Sequence, residues 1–88
     1  MKFQLRFLDE AKNSLKKLDK SVTIRILRKL TWLAEHADSV AEEGLHADLT
    51  GYSKLREGEY RIIYKILREE GMIVVRFIGH RREVYKQR

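Results

Sequence analysis

Near the start of the chain, Lys2 to Phe7 alternate polar and apolar, with Phe3, Leu5 and Phe7 on one side and Lys2, Gln4 and Arg6 on the other. That period of two is the signature of a half-buried strand, because successive side chains of extended backbone point to opposite faces. From Asp9 the period changes. Leu8, Ala11, Leu15 and Leu18 recur at three and four, which predicts a short amphipathic helix with Asp9 as its N-cap. After Asp19-Lys20, Ser21 is placed to cap a second helix whose apolar stripe is Ile26, Leu30, Leu33 and Ala37, widened by Leu27 and Ala34. The two helices are expected to form an antiparallel hairpin. Trp32 sits inside the second apolar segment, where an aromatic residue is more commonly core than a platform for stacking bases.

Between Glu35 and Leu49 there is no Lys or Arg, while Glu35, Asp38, Glu42, Glu43 and Asp48 make this the acidic part of the chain. It reads as a helix end followed by a connecting loop containing Gly44. His36 and His46 lie here without metal-ligand spacing and are expected to be solvated loop residues. From Gly51 the period is two again. Tyr52 to Arg56 is a strand with Tyr52, Lys54 and Arg56 on one face, Glu57-Gly58-Glu59 a turn, and Tyr60 to Leu67 the central strand. Glu69-Glu70-Gly71 is the next turn, and Met72 to Gly79 is a nearly all-apolar strand interrupted by Arg76. Strand, two helices and a three-stranded antiparallel meander predict an α+β fold with the helices packed on one face of the sheet. At 88 residues, positions 1–88 are expected to be a single domain.

Composition supports a folded chain: 43% of residues are hydrophobic and 36% charged, too apolar for the disordered class. There is no cysteine, which excludes a disulfide framework, a thiolate nucleophile and a cysteine zinc site, and fits the cytoplasm. MKFQLRF lacks the apolar core of a signal peptide and the length of a membrane span, so no membrane association is expected. The formal net charge of +6 is unevenly spread. Residues 1–51 carry nine Lys/Arg against eight Asp/Glu, whereas residues 52–88 carry ten against five, or +5. A basic second half points to a polyanionic partner, nucleic acid first among them.

The candidate chemistry lies in that half. Lys54, Arg56 and Arg61 come from the first hairpin of the meander, and His80, Arg81, Arg82 and Tyr85 from the end of its last strand, so all are expected to meet on the open face of the sheet. Each cation taken singly is more simply a solvated surface charge. Together, several cations, an imidazole and a phenol form the inventory for stabilising a phosphorane-like transition state and moving protons without a metal or cofactor.

The run LTGYSKLREGEYRIIYKI followed by IVVRFIGHRREVYKQR resembles the RelE/ParE superfamily of toxins, and more closely its RelE branch of ribosome-dependent mRNA endonucleases. The resemblance covers the whole chain in length and element order, and its specific part is Leu49 to Tyr85. It implies a toxin that cleaves messenger RNA in the ribosomal A site by attack of a ribose 2′-hydroxyl on the adjacent phosphate, with no metal. On that resemblance Lys54 supports the proton transfers, Arg61 holds the scissile phosphate, Arg81 stabilises or protonates the leaving oxygen, and Tyr85 helps remove the 2′-hydroxyl proton. Arg56 is a further phosphate contact, with Arg82 and Lys86 beside it as substrate-binding residues. Tyr52 stands where some RelE members carry a second lysine, and His80 is a candidate to compensate. The chain stops three residues after Tyr85, so the C-terminal helix of longer members is expected to be absent or reduced to a turn. The expected partners are the ribosome, its mRNA, and an acidic or amphipathic RelB-like antitoxin that covers the basic groove. Two other readings fit the same cations: a gyrase-poisoning toxin of the ParE branch, and a noncatalytic nucleic-acid-binding domain.

Overall fold

The computed structural model describes residues 3–39 and 51–82. It contains β1 (Gln4–Phe7), α1 (Asp9–Lys17), α2 (Lys20–His36), β2 (Ser53–Glu57), β3 (Tyr60–Leu67) and β4 (Met72–His80). The α+β order expected from the periodicity is the order observed. Gly44, His46, Leu49, Glu83, Tyr85 and Lys86 lie outside the described residues.

The four strands form one sheet in the order β1-β4-β3-β2. β2, β3 and β4 are an antiparallel meander, and β1 joins the free edge of β4 in parallel, with Leu5 opposite Ile73 and Phe7 opposite Val75. A parallel neighbour needs a crossover, and α1 and α2 lie on the path between β1 and the meander. The ladder is extended at both ends by Gln4 N–H donating to Gly71 O and Leu8 N–H donating to Val75 O, each at 2.9 Å.

One sheet face carries Ile62, Tyr64, Ile73, Val75 and Ile78, all buried against Ala11, Ile26, Leu30, Leu33, Ala34 and Ala37 of the helical layer. Leu5, Phe7, Leu55, Tyr60 and Ile66 pack around this core. The stripe on α2 is therefore the one that the sequence predicts, with two exceptions. Trp32 is 42% exposed and Leu27 39% exposed rather than core. With 3.6 residues per turn, Trp32 lies six residues after Ile26 and so falls far round the helix from the stripe. The indole is instead covered by its own helix: His36 stacks on it at 4.7 Å from the turn after, and Lys29 Nζ lies 5.1 Å from its centroid from the turn before.

The helix starts also differ. Leu8, not Asp9, is the N-cap of α1, and Asp19, not Ser21, that of α2; neither makes a side-chain cap bond. Asp9 and Glu10 sit in the first turn of α1 and Lys16 and Lys17 in its last, charges that complement the helix dipole. His36 is the last residue of α2 rather than a loop residue, its Nδ1 2.8 Å from Trp32 O.

Candidate functional site

The site begins with the alternation of β2 and β3. Ser53 and Tyr64 are opposite one another and buried, so Tyr52, Lys54 and Arg56 on one strand and Arg61, Ile63 and Lys65 on the other point to the face away from the helices. Register then sets the rows: Arg56 pairs with Arg61 and Gly79, and Lys54 with Ile63 and Phe77. Three of the expected cations thus fall within two neighbouring rows of this far face.

Arg61 is not a solvated charge. It is 5% exposed, and its Nη1 donates to Gly58 O at 3.1 Å and Tyr60 O at 3.0 Å. One acceptor is in the two-residue β2–β3 turn and the other, Tyr60, opens β3 just after it; Gly58 enters the turn at φ +60, the left-handed conformation that tight hairpin turns require. Arg81, just beyond β4, grips the same turn from the other side. Its backbone N–H donates to Glu59 O at 2.8 Å and its Nε lies 3.1 Å from Glu59 Oε1. Gly58, Glu59 and Tyr60 therefore present three successive carbonyls to two arginines, and the turn fixes Arg61 and Arg81 relative to each other. The Arg81–Glu59 pair is more than half exposed on both sides, so an incoming phosphate can compete for that guanidinium at little cost. Arg82 is exposed, its backbone N–H directed at His80 Nδ1 over 3.3 Å.

His80 departs from the expectation. It pairs with Tyr60 across the ladder and meets its ring edge-on at 5.7 Å between centroids, and Tyr60 packs against the core. His80 is thus on the helix-covered side, opposite Lys54, Arg56 and Arg61. The cause is a β-bulge. Ile63 is opposite Phe77 but Tyr64 is opposite Val75, so Arg76 is an extra residue in β4 and reverses the alternation beyond it. Ile78 and His80 move to the core side and Gly79 to the Arg61 row. Arg76, noticed in the sequence only as an interruption, is the visible signal of that bulge. With Lys65, which shares the Arg61 face by strand alternation, it brings two further cations to the far face.

A second basic region lies on α2, which has no acidic residue between Lys20 and Ala34. A groove there is lined by Arg25, Arg28, Lys29, Trp32 and Glu57. Among the described residues no group of three His, Cys, Asp or Glu is arranged to hold a metal ion, and no helix is long and apolar enough to cross a membrane.

Two helices on one face of a β1-β4-β3-β2 sheet, with arginines gathered at the β2–β3 turn, define a RelE-like toxin fold. The chain belongs to the family described as ParE toxin of type II toxin-antitoxin system, parDE, whose model matches residues 5–85. Solved structures agree. The toxin of the RelBE2 toxin-antitoxin complex from Mycobacterium tuberculosis is 25% identical over 91% of this chain and 92% of that one, with a TM-score of 0.81. The isolated RelE toxin of E. coli is 24% identical over 97% and 93%, with a TM-score of 0.74. The archaeal RelE-RelB complex from Pyrococcus horikoshii is 21% identical over 92% and 97%, with a TM-score of 0.73. A comparison with curated protein sequences gave no match.

Proposed function

We propose that this toxin is a ribosome-dependent endoribonuclease acting in the cytoplasm, and that the far face of its sheet is the RNA site. The observation that carries the reading is the pair of arginines fixed at one turn, with Arg56 in the Arg61 row and Lys54 in the next. Preorganised donors aimed at a reacting phosphate are worth most where their positions are already fixed, because no reorganisation is needed as charge develops. In the proposed reaction the ribose 2′-oxygen attacks the adjacent phosphorus and the bond to the 5′-oxygen of the next nucleotide breaks. The products are a cyclic 2′,3′-phosphate and a 5′-hydroxyl. Arg61 holds the non-bridging oxygens, Arg81 leaves Glu59 to stabilise the departing oxygen, Tyr85 as the phenolate favoured by the flanking cations accepts the 2′-hydroxyl proton, and Lys54 supports the transfers by giving a proton to the 5′-oxygen as it leaves. Arg56, Arg82 and Lys86 contact flanking phosphates. His80 takes no part, being on the other face. The whole of residues 1–88 acts as one domain.

The partner that restrains this activity is an antitoxin. Structures similar to this chain were solved as complexes with RelB antitoxins, and the +5 second half favours an acidic or amphipathic segment that covers the far face. Where a small acidic protein is encoded beside this chain, co-expression of the two is expected to give a stable complex without cleavage activity.

The test is single-turnover cleavage of mRNA on programmed ribosomes, beside a DNA gyrase assay. Cleavage is expected in the A site, and Tyr85→Phe is expected to slow it about 10²- to 10⁴-fold while leaving ribosome binding intact. The family match to a ParE toxin supports the competing reading. Stabilised gyrase–DNA breaks with intact mRNA would select it and reject the nuclease.

A further inference from the structure

Beyond the arginines of the turn, the far face holds a second cluster that the proposed chemistry does not use. Tyr52, just ahead of β2, has Lys65 Nζ of β3 at 5.1 Å and the Arg76 guanidinium of β4 at 5.5 Å from its ring centroid. All three side chains are half-buried. We propose that Tyr52, Lys65 and Arg76 form a second RNA subsite, in which the Tyr52 ring holds two cations in place to bind a backbone phosphate some two nucleotides from the one at Arg61.

Three features of the chain build the cluster. Gly51 turns at φ +91, and a Cβ there would lie 3.3 Å from Lys65 Cε and 3.6 Å from its Nζ, so the glycine makes room for the amine. The bulge re-aims Arg76 out of an otherwise apolar strand, a device that recurs beside functional sites. The Tyr52 ring then draws both cations to itself through its electron-rich face. Folding alone does not call for this arrangement. Two like charges sharing one ring repel, and the described residues of the far face, Gln4, Arg6, Tyr52, Lys54, Arg56, Arg61, Ile63, Lys65, Leu67, Met72, Val74, Arg76 and Phe77, include no carboxylate to offset them. A polyanion does offset them. Lys65 follows Arg61 by four residues on the same face, about 13 Å at the rise of a strand, a span of about two nucleotides in an extended single strand. The subsite therefore continues the Arg56–Arg61 and Lys54 rows along the sheet.

The proposal rests on the RNA site proposed above, and the test separates the two. A labelled single-stranded oligoribonucleotide is titrated with the full chain at several salt concentrations, using wild type, Lys65→Gln/Arg76→Gln, Tyr52→Phe and Tyr52→Leu, each first shown to be folded by thermal melting. The double variant is expected to lower the slope of log affinity against log salt by about 1.4, two contacts at about 0.7 each for a single strand. Tyr52→Phe keeps the ring and is expected to bind the oligonucleotide more tightly than Tyr52→Leu, which loses the ring face that holds both cations. A wild-type slope in the double variant overturns the subsite, as does a wild-type chain that fails to bind the oligonucleotide. Equal losses in Tyr52→Phe and Tyr52→Leu would assign the hydroxyl, not the ring, and overturn the positioning role. Normal binding with no cleavage by wild type would reject the nuclease alone and leave the slope to decide the subsite.

Discussion

The two faces of β3 are built from one eight-residue strand and serve opposite ends. Ile62, Tyr64 and Ile66 turn toward the helices and into the core, while Arg61, Ile63 and Lys65 turn away from it. On the first face burial is apolar and its strength comes from area and close packing. On the second, burial includes a guanidinium held by backbone carbonyls of a turn, an arrangement that fixes a charge rather than stabilising a core. The strand period of two therefore lets stability and the proposed RNA chemistry vary almost independently, since a substitution touches one face at a time.

The comparison breaks first, and by the largest amount, at the core. Leu30→Ala on α2 removes a fully buried side chain and is expected to cost about 2–5 kcal/mol of unfolding free energy. Denaturant titration measures it, and cleavage per folded molecule should not change. A smaller effect is expected at Trp32, whose exposure sets it apart from the stripe: Trp32→Ala should cost about 1 kcal/mol, well below the roughly 3–5 kcal/mol of a buried tryptophan. A larger loss would return Trp32 to the core. The smallest effect tests the far side of the turn. Glu59→Gln removes the carboxylate beside Arg81 and should strengthen RNA binding by about 0.2–1 kcal/mol, the range of exposed ion pairs, with the gain fading as salt rises. A weakening instead would mean that Glu59 holds Arg81 in its working position.

The sequence carried the helix-covered face well because its information is local. The spacing of Ile26, Leu30, Leu33 and Ala37 and the alternation of Phe3, Leu5 and Phe7 are each read within one element. Trp32 was also legible, since its angle around the helix excludes it from that stripe, although aromatic residues in such segments are commonly buried. What is long-range was harder to read. Nothing in Gln4–Phe7 says that its partner is β4, sixty-eight residues on from Gln4 to Met72, or that the pairing is parallel. The bulge at Arg76 was decisive for the site. One extra residue carried His80 away from the cations it was expected to join and placed Gly79 opposite Arg61. Arg61 itself stood out in the sequence as a charge in an apolar strand, but the partners it has in burial, the carbonyls of Gly58 and Tyr60 at the β2–β3 turn, belong to the folded backbone.

The central claim is that the far face performs the chemistry and the helix-covered face does not. It is tested most directly by single-turnover cleavage of mRNA on saturating programmed ribosomes, comparing Arg61→Ala and Arg61→Lys with Leu30→Ala at a temperature where all are folded. Loss of the fixed guanidinium should slow cleavage about 10²- to 10³-fold in Arg61→Ala, with only partial recovery in Arg61→Lys, because a point charge lacks the planar fork that grips two phosphate oxygens. Leu30→Ala should cleave at the wild-type rate. A wild-type rate in Arg61→Ala, or an equal loss in Leu30→Ala, would contradict the account.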